Sequence, residues 1–130
     1  MAPKPKTSKA PLIFIVDDDL SVGTSTARLV RTSGMRAEAF ASAQDLLNSG
    51  RVVEAACLIL DVRMPKMDGL ELQRRLRETM ERIPVVFFSA QATEEEKNRA
   101  LQSGAVAFLR KPVSKDALLR AIHMALENAG

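Results

Sequence analysis

Leu12-Ile13-Phe14-Ile15-Val16-Asp17-Asp18-Asp19 is the stretch on which the reading of the fold turns. Five apolar residues run without a break into three carboxylates, the pattern of a strand covered by helices on both faces that ends in a polar turn. Four further short runs follow at Arg36–Phe40, Ala56–Leu60, Pro84–Phe88 and Val106–Leu109, and all five Phe residues fall within them or at their ends. Three of these are near-continuously apolar like the first. The run at Arg36–Phe40 is interrupted by Arg36 and Glu38, which suits an edge strand.

The intervening segments are long enough for helices and carry helix-end signals. Gly34 and Gly104 stand where a helix needs a left-handed closing residue. Thr93 and Glu96 have capping-box spacing, as do Ser42 and Asp45 with the shorter acid. Leu118, Ala121, Ile122, Ala125 and Leu126 recur on one helical face of the last segment. The expected fold is therefore α/β, a (βα)5 chain whose right-handed crossovers build a doubly wound, five-stranded parallel sheet.

The chain has 130 residues, enough for one domain. At 46% hydrophobic and 27% charged it is too apolar for a disordered chain, and no stretch approaches the roughly 20 apolar residues of a membrane span. Its formal charge is +3, but Lys4, Lys6 and Lys9 account for the whole excess and leave 16 bases against 16 acids in residues 11–130. Residues 1–10 read as a flexible basic tail and residues 11–130 as the domain. The tail lacks the apolar core of a secretory signal, and the lone Cys57 reads as core packing in a reducing compartment, so a cytoplasmic location is expected.

In doubly wound sheets ligands bind at the carboxyl ends of the strands. The first strand delivers Asp17, Asp18 and Asp19 there, the third Asp61, the fourth Ser89, and the fifth Lys111-Pro112. Taken singly these are ordinary surface groups: an Asp run ending in a helix N-cap, a loop carboxylate, a solvated lysine before a turn. Their coincidence at one edge is what suggests a site. Two carboxylates about 5 Å apart repel by roughly 3–4 kcal/mol at an effective dielectric near 20, so something positive must lie between them. Oxygen-only donors point to Mg2+ or a similar hard cation, and Lys111 supplies a second positive partner for phosphoryl oxygens. Two chemistries fit: a carboxylate nucleophile forming an acyl phosphate, or activation of water against a phosphoester. A nucleoside-triphosphatase and a dinucleotide-dependent reductase are disfavoured, because the chain has neither a G-x-x-x-x-G-K-[ST] loop nor the glycine fingerprint after its first strand.

An ordered set of motifs narrows this further. Val16-Asp17-Asp18, Leu60-Asp61-Val62-Arg63-Met64-Pro65 with Met67-Asp68-Gly69, Phe87-Phe88-Ser89-Ala90, Gly104-Ala105 and Phe108-Leu109-Arg110-Lys111-Pro112 resemble the receiver domains of two-component response regulators, over roughly residues 11–128. The resemblance implies a flavodoxin/CheY-like sheet of strand order 2-1-3-4-5. It makes Asp61 the phosphoacceptor, loaded from a phosphohistidine on a histidine kinase or phosphotransfer protein. Mg2+ would be held by Asp17, Asp18, Asp61 and the backbone carbonyl of Arg63, with Lys111 pairing the phosphoryl oxygens across a cis Lys111-Pro112 bond. Asp19 has no family role and stays a helix cap. Ser89 and Phe108 would form the switch: the hydroxyl moves toward the phosphoryl group and Phe108 fills the space it leaves, reshaping the surface of the fourth helix, fifth strand and fifth helix. Because Phe lacks a hydroxyl to anchor an outward rotamer in water, Phe108 is expected to be buried even without phosphate. Arg63 and Gln91 occupy places that tune attack by water, Val113 departs from the frequent Phe after Lys-Pro, and His123 reads as a surface residue.

The leading expectation is thus a phosphorylation-switched receiver whose only chemistry is self-catalysed phosphotransfer and dephosphorylation, not an enzyme otherwise, with no nucleic acid or membrane bound by this domain alone. A homodimer through the fourth-helix to fifth-helix face is compatible with it. About twenty residues follow Lys111, room for one helix and no output domain, so the expectation is either a complete single-domain regulator or a piece of a longer protein. Met64–Leu76 resembles receivers attached to LuxR-type DNA-binding domains, so a fragment of a transcription factor is the alternative. A metal-dependent phosphohydrolase ranks third, since no inserted segment is present to enclose a substrate.

Overall fold

In the computed structural model, which describes residues 10–79 and 83–128, each apolar run becomes a strand and each intervening segment a helix. The order is β1 (Leu12–Val16), α1 (Leu20–Arg31), β2 (Arg36–Phe40), α2 (Ala43–Ser49), a 3-10 turn (Val52–Glu54), β3 (Cys57–Asp61), α3 (Gly69–Thr79), β4 (Val85–Ser89), α4 (Glu94–Gln102), β5 (Ala107–Arg110) and α5 (Lys115–Asn128). Residues 1–9 of the expected tail lie outside the described residues. The sheet is parallel throughout with order β2-β1-β3-β4-β5, which is the expected topology. The last three strands each begin and end one residue later than the apolar runs, so Asp61 and Ser89 are strand residues, with Asp61 registered opposite Phe88.

Side chains alternate across the sheet because successive strand residues point to opposite faces. Phe14, Val16, Leu58, Leu60 and Phe87 pack with Ala43 and Leu46 of α2, Leu72 and Leu76 of α3 and Ala100 of α4. Ile13, Ile15, Ile59, Val86 and Phe88 pack on the other face with Ala27 and Val30 of α1 and with Leu118, Ala121, Ile122 and Ala125 of α5. Cys57 is fully buried within this second layer, where desolvation pushes its thiol up to about 12 and leaves it inert at neutral pH.

The helix ends form as their residues dictate. Asp19 caps α1 by accepting the Ser21 and Val22 amides, Ser42 caps α2, and Thr93 with Glu96 closes a reciprocal capping box on α4. Gly34 and Gly104, at φ 88° and 104°, turn the chain after α1 and α4. His123 is exposed, as expected. Among the described residues no helix is long and apolar enough to cross a membrane.

One expectation is corrected. Phe108 is half-buried, not buried. The order of the sheet makes β5 an edge strand, so β4 flanks it on one side only, and the polar α4 covers it sparsely. The Phe108 ring stacks on Phe87 at 6.1 Å between centroids, and its outer side carries the Arg110 guanidinium at 5.6 Å.

Candidate functional site

β1 and β3 are central neighbours, so their carboxyl ends bring Asp17 and Asp61 side by side. Asp18 completes the group: one oxygen from each of Asp17, Asp18 and Asp61 lies within 4.8 Å of the others. Asp17 and Asp61 are buried, at 1% and 6% exposure, whereas Asp18 faces solvent. Three carboxylates at the mouth of an apolar sheet, two of them desolvated, would not fold together without a counter-charge.

Lys111 provides part of it. Its Nζ donates to Asp17 Oδ2 at 2.7 Å and to Asp61 Oδ2 at 3.1 Å, and it lies 4.6 Å from the centroid of the Phe88 ring. The Lys111-Pro112 peptide is cis, as expected. The second oxygen of each buried carboxylate is occupied by the backbone: Asp17 Oδ1 accepts the Asp19 amide at 2.8 Å and Asp61 Oδ1 the Arg63 amide at 3.2 Å. Burial works against the Lys111 charge, but hydrogen bonds and attraction from Asp17 and Asp61 more than offset it and hold the ammonium above the usual lysine range. Burial also pushes the Asp61 carboxyl up; the Lys111 hydrogen bond opposes this, the Asp17 charge adds to it, and the net direction is upward. Asp61 is thus a carboxylate held with less stabilisation than it would have in water.

The donor set fits a divalent cation. Three carboxylates and one ammonium leave two negative charges uncompensated, every available ligand atom is oxygen, and among the described residues Asp18 makes no side-chain hydrogen bond that would compete. Such a set suits Mg2+ and not zinc.

The remaining predicted residues are near the site without joining the ion-pair cluster. Ser89, fully buried, is one step past the residue opposite Asp61, and its hydroxyl accepts the Gln91 amide at 3.4 Å. Phe108 sits lower in the sheet, registered opposite Phe87. The Arg63 side chain swings away to Glu96 of α4, at 2.9 Å.

Sequence reasoning gave no task to Gly69. A Cβ built there would lie 2.2 Å from the Asp61 carbonyl oxygen and 3.0 Å from the Phe87 ring, so only glycine lets α3 start against the end of β3. The Gly69 amide donates to the Val62 carbonyl and Asp68 Oδ1 accepts the Glu71 amide, which fixes this helix start directly behind Asp61. A glycine following an Asp at a helix start was the available signal. The Arg110 contacts to Ala92 and Glu94 were equally illegible, because nothing in a lone strand-end arginine indicates which carbonyl it reaches.

The family model for the response regulator receiver domain matches residues 13–123. The response regulator protein TodT of Pseudomonas putida is 42% identical over 123 residues, covering 95% of this chain and 54% of that protein. The transcriptional regulatory protein FixJ of Bradyrhizobium diazoefficiens is 31% identical over 117 residues, covering 90% of this chain and 57% of that one. Among solved structures, response regulator StyR superposes with a TM-score of 0.83 at 40% identity, covering 92% of this chain and 61% of that one. The chain spans about half the length of the curated relatives it matches. Fold, strand-end cluster and matched residues agree: the chain belongs to the response regulator receiver domain family of two-component systems.

Proposed function

We propose that this receiver accepts a phosphoryl group on Asp61 from a phosphohistidine of a histidine kinase or phosphotransfer protein and thereby switches a partner-binding surface. The observation that carries the reading is the single ammonium of Lys111 shared between Asp17 and Asp61. An Asp61 oxygen attacks phosphorus, the P–N bond to the donor imidazole breaks, and the imidazole keeps the bonding pair and is protonated. The product on Asp61 is an acyl phosphate. Asp17, Asp18, Asp61 and the Arg63 carbonyl would hold Mg2+, which when bound neutralises the phosphoryl oxygens. Lys111 is free to transfer one of its hydrogen bonds from Asp61 to the incoming group, since esterification removes the charge it was neutralising. Ser89 then donates its hydroxyl to a phosphoryl oxygen, and Phe108 turns into the space it leaves.

The surface that changes is formed by α4, β5 and α5, where Leu101 and Met124 are exposed apolar residues available to a partner or a second copy. A cytoplasmic location belongs to this reading, since the phosphodonor is a cytoplasmic kinase module. A second reading, that this is the receiver portion of a DNA-binding regulator, is favoured by the half-length coverage of relatives named transcriptional regulatory proteins.

Incubation with Mg2+ and acetyl phosphate tests the first reading. Intact mass should rise by one phosphoryl group, and Asp61→Asn should abolish the gain. A wild-type chain that gains no mass while turning over phosphoesters would be a hydrolase and not a receiver in function.

A further inference from the structure

Arg110 is the last residue of β5 and is registered opposite Ser89 of β4. Strand alternation puts its side chain on the same face as Phe108. The guanidinium makes three contacts at once. It covers the Phe108 ring at 5.6 Å, Nη1 donates to the Ala92 carbonyl at 2.8 Å, and Nη2 donates to Glu94 Oε2 at 2.9 Å. One planar group therefore joins the aromatic switch residue, the loop that follows Ser89 and the first turn of α4.

A half-exposed arginine in an ion pair commonly contributes little. The bond to Ala92 differs because its acceptor is backbone: it fixes the path of the chain between Ser89 and the α4 cap Thr93. α4 has few other restraints, since Ala100 is its only buried residue and its first turn is Glu94-Glu95-Glu96. The other tether at that end is the Arg63–Glu96 pair. A helix anchored so weakly by apolar contact keeps its place through such polar links.

We propose that Arg110 is a positioning residue of the switch, a latch that holds the Ala90–Thr93 segment in its unphosphorylated path and lids the Phe108 ring. The proposal rests on the reading of Asp61 as phosphoacceptor. Movement of Ser89 toward a phosphoryl group carries Ala92 with it and takes the carbonyl from Arg110, and inward rotation of Phe108 removes the ring from beneath the guanidinium. These contacts exist in one state only, so they bias the equilibrium against phosphorylation, and their loss biases it toward the switched state.

Arg110→Met keeps the aliphatic stem over Phe108 and removes every donor. Arg110→Lys keeps the charge without the planar fork. Glu94→Ala removes one anchor from the opposite side and checks the latch without altering β5. Phosphorylation by acetyl phosphate at saturating Mg2+ is followed by mass, and the backbone amides of Ser89–Thr93 by 15N NMR. Arg110→Met should be phosphorylated about tenfold faster than wild type, the effect of losing a charge-assisted hydrogen bond in one state. Its loop amides, unphosphorylated, should shift along the line joining free and phosphorylated wild type. Arg110→Lys and Glu94→Ala should lie between. A merely structural role would scatter the amide shifts off that line and leave the rate unchanged, and that result overturns the latch. Failure of the wild type itself to gain a phosphoryl group would instead sink the Asp61 reading, and the latch with it.

Discussion

Asp61 is buried against an apolar sheet, faces the Asp17 carboxylate and shares a single ammonium with it, so its charged form is less stabilised than in water. A carboxyl raised in the folded state contributes stability that is present below its unfolded pKa and lost as pH rises through its folded one. Asp61→Asn, nearly isosteric and uncharged, should therefore melt higher than wild type at pH 7 without divalent cation. The expected gain is about 1 kcal/mol, roughly 3–5 °C for a domain of this size. The gain should shrink as pH falls through the raised folded value and vanish below the ordinary carboxylate range. Thermal melts at pH 7 and near pH 3.5 measure it; an Asn variant that melts lower at pH 7 would show that the Lys111 bond, not the burial and repulsion, dominates. Both carboxylates were legible as strand-end polar groups. That Lys111 bridges Asp17 as well as Asp61 was not, because the resemblance assigned Lys111 to an absent phosphoryl group.

At the scale of elements, the β3–α3 junction is where the sequence determines the site most tightly. Gly69→Ala would drive a methyl group into the Asp61 carbonyl, an acceptor that belongs to backbone and cannot rotate away. We expect a destabilisation of about 1–3 kcal/mol, typical of overpacking, together with slower phosphorylation as the end of β3 is displaced. Urea denaturation and acetyl phosphate loading report the two effects; unchanged stability would mean that α3 slides at no cost. α4 contrasts with this rigid joint. It is held by Gln73 donating to the Ala100 carbonyl, by Arg77 donating to the Ser103 carbonyl, and by the arginines at its N-terminal end. A helix fixed by hydrogen bonds and surface charge is easier to shift than one fixed by a packed apolar stripe such as that of α5, whose Leu118, Ala121, Ile122 and Ala125 are all buried. The stripe of α5 could be read from the spacing of its apolar residues; the tethers of α4 could not, because hydrogen bonds from long side chains to distant carbonyls leave no periodic trace.

Across the whole molecule, both faces of one sheet are sealed by helices, and the acidic cluster stands at its carboxyl edge. The net charge of +3 has no bearing on that edge, because the three lysines responsible lie in residues 1–10. Mg2+ should bind the folded chain alone and stabilise it by mass action, by about 2.7 kcal/mol at a hundredfold excess over Kd, with a corresponding rise in melting temperature. Calorimetry should show the same increment after removal of residues 1–10 and a much smaller one in Asp18→Asn; loss of the increment on truncation would make the tail part of the site. The sequence by itself determined the strands, the helix caps, the sheet order and the residues delivered to its edge, since all of these follow from short-range patterning and an ordered motif set. It placed Phe108 too deep, because burial on an edge strand depends on what covers its open side. Only the tertiary structure decided that Phe108 is half-covered by Arg110, that Lys111 joins two carboxylates lying 94 and 50 positions from it along the chain, and that Gly69 touches the Asp61 backbone. Those are contacts between groups distant along the chain, whose energies depend on distance and burial, and neither quantity exists until the sheet has formed.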